Sequence, residues 1–275
     1  MATETEDYSF LIGDNKEKVV ESLFKFGDVK LIDDIIQFYR VQPTFSPFGL
    51  IGHHYFYRFS KGKVVQIDHV AGGWVGPKKK YLTQEILDKG NSTNLAHFNS
   101  CIKKYDATKI QEKGNTIEYV FDKDNYKGRI IYDYKPLVGG LISLWEKEVK
   151  PTHDRIVNDR FWFGIGNYNN GVEQRIKETN SIPYMDGQVY IWTVTTDFIQ
   201  DTPVQIKIVF PSRPNEIPKG TEFNYKENSM IVPVGVYKEK VILKFEVNEG
   251  DPKGVYNIFL IAKGETFAGI SYTIK

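Results

Sequence analysis

The sequence predicts a mostly β protein, with an α+β domain containing a small antiparallel sheet over residues 1–150 and an all-β sandwich over residues 181–275. Residues 151–180 are expected to connect the two. Aromatic side chains make up 14% of the 275 residues, and they suit a pleated, half-buried surface. Helical periodicity is confined to the first half, whereas the C-terminal third reads as short strands at regular spacing. The length accommodates two domains of ordinary size.

The first predicted element is a helix over about residues 15–26. Asp14 followed three residues later by Glu17 resembles a capping box, and Gly27 can supply the left-handed residue that ends a helix. A strand within residues 33–40 follows, because that segment mixes β-branched and aromatic side chains and precedes a proline-rich loop.

Residues 54–68 form a predicted β-hairpin. The segments on either side of Ser60-Lys61-Gly62 read as strands, and these three residues have the length and the glycine of a tight turn. Pairing the strands about position 61 places His54 opposite Asp68. Gln66 would then lie diagonal to His54 on the same face of the hairpin.

A second helix is predicted over about residues 93–106, where apolar side chains recur at i, i+3, i+7 and i+10. These side chains are Leu95, Phe98, Ile102 and Tyr105. Two further strands, over 116–121 and 129–134, are joined by a polar turn.

From about residue 187 onward the sequence reads as six strands. They cover residues 188–195, 204–210, 230–234, 241–247, 255–262 and 267–274. Apolar and polar residues alternate over 241–247, which suits a sheet with one buried face and one wet face. The segment from Glu249 to Tyr256 resembles the late turn and strand of immunoglobulin-like accessory domains. This resemblance implies an immunoglobulin-like β-sandwich and says little about function.

Composition excludes several classes of partner. The 36 Lys and Arg and 35 Asp and Glu give a net charge of +1, so there is no strong field to recruit nucleic acid or an acidic membrane. No apolar run approaches the ~20 residues of a transmembrane helix. The acidic first residues lack an apolar signal core, and the single cysteine excludes an internal disulfide. We therefore expect a cytoplasmic protein, or one exported without an evident signal peptide.

Asp34 leads the strand Ile-Ile-Gln-Phe-Tyr-Arg, and the hairpin that begins Gly52-His-His-Tyr-Phe-Tyr-Arg follows after a loop. With these motifs, residues 33–101 resemble the lecithin:retinol acyltransferase-like branch of the NlpC/P60 thiol-hydrolase superfamily. In that family the first histidine of the hairpin activates a cysteine, and His54 occupies its position. A polar residue that ends the second strand orients the imidazole, and Gln66 stands where the family usually has histidine.

The family's nucleophile opens a helix in the motif Asn-Cys-Glu-His-Phe, where the helix dipole lowers the pKa of the thiol. Residues Asn94-Leu95-Ala96-His97-Phe98 resemble that motif, with leucine at the cysteine position. The only thiol, Cys101, follows six residues after that leucine. The resemblance therefore implies one of two things. Either Cys101 is a displaced nucleophile, with His54 as base and Gln66 as orienting residue, or the chain keeps the thiol-hydrolase scaffold without its catalytic activity.

Ordinary structural roles compete with these catalytic ones. Cys101 lies beside the apolar stripe of the second helix and suits a small core residue, and His54 suits a hydrogen-bonded sheet histidine. His97 precedes Cys101 by four residues and could contact it. His69 and His153 have no partners at metal-ligand spacing, so we expect no metal site and no cofactor.

Two functions follow from these features. The first is a non-catalytic binding or assembly protein that keeps a thiol-hydrolase frame and holds a protein or carbohydrate through its β-sandwich, as a bacterial effector or accessory component would. The second is a papain-like thiol hydrolase or acyltransferase that acts on an acyl or amide bond. The position of Cys101 relative to His54 separates them. We predict that Cys101 is largely buried and too far from His54 to share a proton.

Overall fold

The computed structural model divides into two compact units. The first unit comprises residues 1–20 and 38–154, and the second comprises residues 21–37 and 155–275. Within them the structure describes residues 11–25, 29–42, 50–75, 84–134, 138–152, 160–169, 172–198, 200–218 and 221–275.

The described residues are mostly antiparallel β-sheet, as predicted. Up to residue 152 the elements are α1 (Lys16–Phe24), β1 (Val29–Ile32), β2 (Ile35–Gln42), β3 (Leu50–Ser60), β4 (Lys63–Val75), α2 (Gln84–Tyr105), β5 (Thr108–Lys113), β6 (Thr116–Asp122), β7 (Tyr126–Asp133) and β8 (Gly139–Glu146). From residue 160 onward they are β9 (Phe161–Asn169), β10 (Val172–Glu178), β11 (Ser181–Ile182), β12 (Val189–Thr195), β13 (Thr202–Val209), β14 (Phe223–Asn224), β15 (Ser229–Tyr237), β16 (Lys240–Glu246), β17 (Gly254–Ala262) and β18 (Glu265–Ile274). No helix among them is long and apolar enough to cross a membrane.

In the first unit an antiparallel sheet has the strand order β3-β4-β8-β7-β6-β5. Helix α2 packs against it, because the fully buried Phe98 stacks on Tyr132 of β7 with ring centroids 4.8 Å apart. Asn94 donates a hydrogen bond to the Val138 carbonyl, and the Val138 amide donates one to Asn91, both at 2.7 Å. These bonds tie the helix to the segment that leads into β8.

The predicted hairpin is confirmed as β3 and β4. Lys61 and Gly62 both have positive φ, 50° and 72°, the conformation that a two-residue type I′ turn requires. The paired strands run further than predicted, from Leu50 opposite Val75 to Ser60 opposite Lys63.

Both helices were predicted, but their first residues differ from the prediction. Asn15 caps α1, because its Oδ1 accepts a hydrogen bond from the Glu17 amide at 2.8 Å, whereas Asp14 accepts one from the Leu11 amide. Helix α2 begins at Gln84 rather than near residue 93. Its early turns contain the weak helix formers Gly90-Asn91-Ser92, which interrupt the sequence signal.

The second unit is a sandwich of two mainly antiparallel sheets around one core. The larger has the order β14-β15-β13-β17-β18-β1, with β11 parallel to the end of β18, and the smaller has the order β10-β9-β12-β16. Buried side chains from both sheets form a single cluster, which includes Phe161, Phe163, Trp192, Leu243, Ile206, Ile258, Leu260 and Tyr272. The two sheets therefore bury their apolar faces against each other.

Two segments depart from the predicted organisation. Strand β1 was not predicted, and its residues, assigned to the 1–150 domain, pair with β18 of the second unit, with Lys30 opposite Ile270. The predicted connector over 151–180 contains β9 and β10, and β9 lies between β10 and β12 in the smaller sheet. The pairing of β1 with β18 joins opposite ends of the chain, and such a pairing cannot be read from the pattern of either segment.

Candidate functional site

The three predicted catalytic residues lie on three different elements of the first unit. His54 is in β3, Gln66 is in β4 and Cys101 is in the last two turns of α2. Cys101 is half-buried rather than largely buried as predicted. Asn94 lies in the interior of the 22-residue helix α2, so the motif at residues 94–98 is not at a helix start and gains nothing from the helix dipole.

His54 and Gln66 share a face of the hairpin but are not cross-strand neighbours. Paired residues point to the same face, and the register places His54 opposite Val70 and Arg58 opposite Gln66. The two-residue turn shifts the pairing by one residue from the predicted one, and a bulge between Arg58 and Phe59 shifts it by one more. His54 and Gln66 are therefore four positions apart along the hairpin, about 13 Å.

Gln66 is held by groups other than His54. Its side chain is 2% exposed, and its amide nitrogen donates to the Asp68 carboxylate and the Thr152 carbonyl. The Thr152 amide in turn donates to Gln66 Oε1 at 3.0 Å, and Ser143 donates a further hydrogen bond to Asp68. The Gln66 side chain therefore satisfies both the amide and the carbonyl of Thr152, as a paired strand would, and this role is structural.

The opposite face of the hairpin carries a pair of buried histidines that the sequence analysis did not connect. His53 Nδ1 and His69 Nε2 are 2.8 Å apart and share a hydrogen bond. The two side chains are 4% and 7% exposed. The Tyr55 ring stacks on His69 with centroids 4.2 Å apart and planes 11° from parallel. Because His53 and His54 are consecutive in one strand, His54 points away from this pair.

Helix α2 adds a third histidine and the thiol to the same place. The His97 ring centroid is 4.9 Å from that of His69 and 5.7 Å from that of His53. Cys101 Sγ lies 3.9 Å from His97 Nε2, one helical turn further along. We name these residues, His53, His69, His97 and Cys101, the histidine cluster.

Burial favours the uncharged form of three members of the histidine cluster, His69, His97 and Cys101. The pKa of His69 lies well below its usual value, mainly because the ring is buried and, to a smaller extent, because His53 and His97 are close to it. Burial also lowers the pKa of His97. Burial raises the pKa of Cys101 to about 11, against an opposing effect of Lys104. A thiolate–imidazolium pair needs the thiol to be the stronger acid, and here the order is reversed.

The smaller sheet of the second unit contributes to a cavity of about 300 Å³, lined by Lys30, Phe163, Glu178, Thr179, Asn180 and Ile270. Its two charged groups pair with each other, since Lys30 Nζ is 3.0 Å from Glu178 Oε1. Phe163 and Ile270 form an apolar wall.

Comparison with known proteins assigns no family. No family model and no curated protein matches the chain. Among solved structures, the chain is similar to an immunoglobulin-like protein from Pseudomonas aeruginosa, with 15% sequence identity and a TM-score of 0.32, over 42% of this chain and 91% of that one. At this TM-score the similarity supports no argument about function.

Proposed function

We propose that this chain is a non-catalytic binding or assembly protein that keeps a thiol-hydrolase-like hairpin and helix without the hydrolase chemistry. The observation that supports this most directly is the position of His54. It points to one face of the β3–β4 hairpin, whereas Cys101 contacts His97, whose ring lies against the histidines of the other face. A base on the far side of a sheet cannot take the proton of the thiol.

The engagement of Gln66 supports the same proposal. Both hydrogens of its amide are used by Asp68 and Thr152, and the register separates it from His54 by four positions. An orienting residue must hydrogen bond to the imidazole that it orients. Gln66 is therefore better explained by its contribution to the stability of the first unit.

The partner in this proposal is a protein or a carbohydrate held by the sandwich of the second unit. The exposed large apolar side chains of that unit include Val172 and Ile176 of the edge strand β10, and Val236 of β15. An immunoglobulin-like arrangement of the sandwich belongs to this proposal as well.

The reactivity of Cys101 tests the proposal. Native protein in metal-free buffer is treated with iodoacetamide at neutral pH, and mass spectrometry follows the modification of the single cysteine. We expect slow labelling with the same rate in the wild type and in His54→Ala, and fast labelling only after unfolding in urea. Rapid labelling of the native wild type that is lost in His54→Ala would refute the proposal.

The thiol-hydrolase alternative retains one supporting observation, the 3.9 Å contact between Cys101 Sγ and His97 Nε2. In that case His97, rather than His54, would be the base. The same experiment separates the alternatives when His97→Ala is included. Rapid labelling that depends on His97 and not on His54 would favour an enzyme with a Cys101–His97 pair.

A further inference from the structure

The hairpin and the helix of the first unit each supply two metal-ligating side chains to one place. His53 and His69 come from β3 and β4, and His97 and Cys101 lie four residues apart on one side of α2. Imidazole nitrogen and thiolate sulfur are the ligands that zinc prefers, usually four in a tetrahedral arrangement.

We propose that His53, His69 and His97, with Cys101 as the fourth ligand, bind a divalent transition metal, with zinc as the expected ion. The neutral imidazoles donate their lone pairs to the metal, and the Cys101 thiol releases one proton to solvent as its sulfur becomes a ligand. This inference is independent of the proposed binding or assembly function.

The positions of the rings are close to those that such a site requires. Around a tetrahedral zinc, two ligand nitrogens are about 3.4 Å apart and a nitrogen and a sulfur are about 3.6 Å apart. The observed separations are 2.8 Å between His53 Nδ1 and His69 Nε2, and 3.9 Å between His97 Nε2 and Cys101 Sγ. Ring centroids of histidines on one zinc are about 5 Å apart, and here they are 5.0, 4.9 and 5.7 Å apart.

The rings must turn before all four atoms face one point. In the part of the chain that the structure describes, no three potential ligands are arranged to hold a metal as they stand. The His53–His69 hydrogen bond occupies the position that a metal would take. The χ2 torsion of histidine is broad, and rotation about it redirects the nitrogens while the ring centroids hardly move. The backbone positions that set the centroid distances therefore need no change.

The surroundings suit a metal that is enclosed on one side and accessible on the other. His53 and His69 are buried, and Tyr55 covers the face of the His69 ring. His97 and Cys101 are half-buried, so part of each residue is accessible to solvent. A tightly shielded site with one accessible side meets the requirement for loading after folding.

Cobalt(II) titration of the full chain without a histidine tag tests the proposal, because tetrahedral Co²⁺ absorbs visible light and a sulfur ligand adds a near-ultraviolet charge-transfer band. We expect saturation at one equivalent with both features, and loss of both when Zn²⁺ is added. A weak octahedral spectrum, or no saturable change, would show that the histidine cluster is only a hydrogen-bonded part of the core.

Three variants make the test specific to these residues. Cys101→Ser should keep the visible bands and lose the charge-transfer band. His97→Gln should weaken cobalt binding by more than the roughly 10- to 100-fold that loss of an outer-shell partner costs. His54→Gln is the matched control, since His54 adjoins His53 but points to the other face, and it should bind as the wild type does. Equal binding by all three would overturn the assignment. Residues 97 and 101 are half-buried, so circular dichroism should show both variants folded.

Discussion

His53 and His54 are consecutive residues of β3, yet their rings lie on opposite faces of the hairpin. The His53 ring contacts His69 and His97, whereas the His54 ring stacks beside that of Phe56 on the other face, with centroids 6.5 Å apart. The helix with the thiol packs on the His53 side. The resemblance to the thiol hydrolases assigns the base to His54. Because successive side chains of a β-strand point to opposite faces, the histidine on the side of α2 is His53 instead.

The two neighbouring histidines should therefore differ in their effect on stability. His53→Ala removes a buried hydrogen bond and leaves His69 Nε2 without it, which we expect to cost about 1–3 kcal/mol of unfolding free energy. His54→Ala should cost less, because its side chain is only half-buried. Urea denaturation in metal-free buffer, with hydrogen exchange of β3 and β4 to locate the loss, measures both. Equal losses would contradict the two-face description.

A second prediction concerns Gln66. Gln66→Leu keeps the approximate volume but leaves the Thr152 amide and carbonyl and one side of Asp68 without their partner. We expect a loss of about 2–3 kcal/mol, because unsatisfied groups at a buried position carry their full desolvation cost. The matched control is Gln111→Leu in β5, where the side chain is exposed, and it should change stability little. Faster hydrogen exchange at Thr152 in the Gln66 variant alone would locate the effect.

The pairing of His53 with His69 could have been predicted from the sequence. The pairing about position 61 that placed His54 opposite Asp68 also places His53 opposite His69, so both face one side. The two-residue turn and the bulge between Arg58 and Phe59 together move His69 opposite Tyr55, and because the shift is of two residues the shared face is unchanged. The resemblance to the thiol hydrolases instead points to His54, and His69 has no partner at metal-ligand spacing in the sequence.

The contribution of His97 and the unit boundaries could not have been predicted in this way. Which side of α2 packs on the hairpin depends on tertiary contacts, such as those that Asn91 and Asn94 make with Val138. Strand β1 has only four residues, too few for a periodic pattern, and its partner β18 lies at the other end of the chain. Local patterns specified the hairpin turn and most of the later strands, because those depend on residues close in sequence.

A third prediction concerns the close approach of β8 to β7. A Cβ added at Gly140 would lie 2.0 Å from the Ile131 carbonyl oxygen and 2.6 Å from Tyr132 Cα. Because both are backbone atoms, the strands must separate, and we expect Gly140→Ala to lower the unfolding free energy by about 2–3 kcal/mol. Gly114→Ala is the control, since nothing lies within 4 Å of its added Cβ and only its positive φ of 62° is unfavourable. A smaller loss at Gly140 than at Gly114, by urea denaturation, would contradict the steric argument.

The last prediction concerns the pH dependence of the second unit and rests on Glu173 in β10. Burial raises the pKa of its carboxyl, but hydrogen bonds from Arg175, Lys240 and Thr193 outweigh this and hold the pKa below its usual value of 4.5. A carboxyl with a lowered folded-state pKa stabilises the fold above the unfolded-state pKa, and this contribution is lost as the pH falls through the folded-state pKa.

Glu173→Gln should therefore destabilise the second unit by about 1–2 kcal/mol at pH 7, since it weakens charge-assisted hydrogen bonds at a side chain that is only 9% exposed. The difference between wild type and variant should shrink as the pH is lowered below about 4.5, because the carboxyl takes up a proton first in the unfolded state and, at lower pH, in the folded state. Urea denaturation followed by tryptophan fluorescence at pH 7, 5 and 3 measures it, because Trp162 and Trp192 are both in this unit. Glu227→Gln is the control, because Glu227 pairs with Lys207 while its own side chain is 51% exposed, and exposed ion pairs contribute little. A difference for Glu173→Gln that stays constant from pH 7 to pH 3 would mean that packing, rather than charge, determines the role of Glu173.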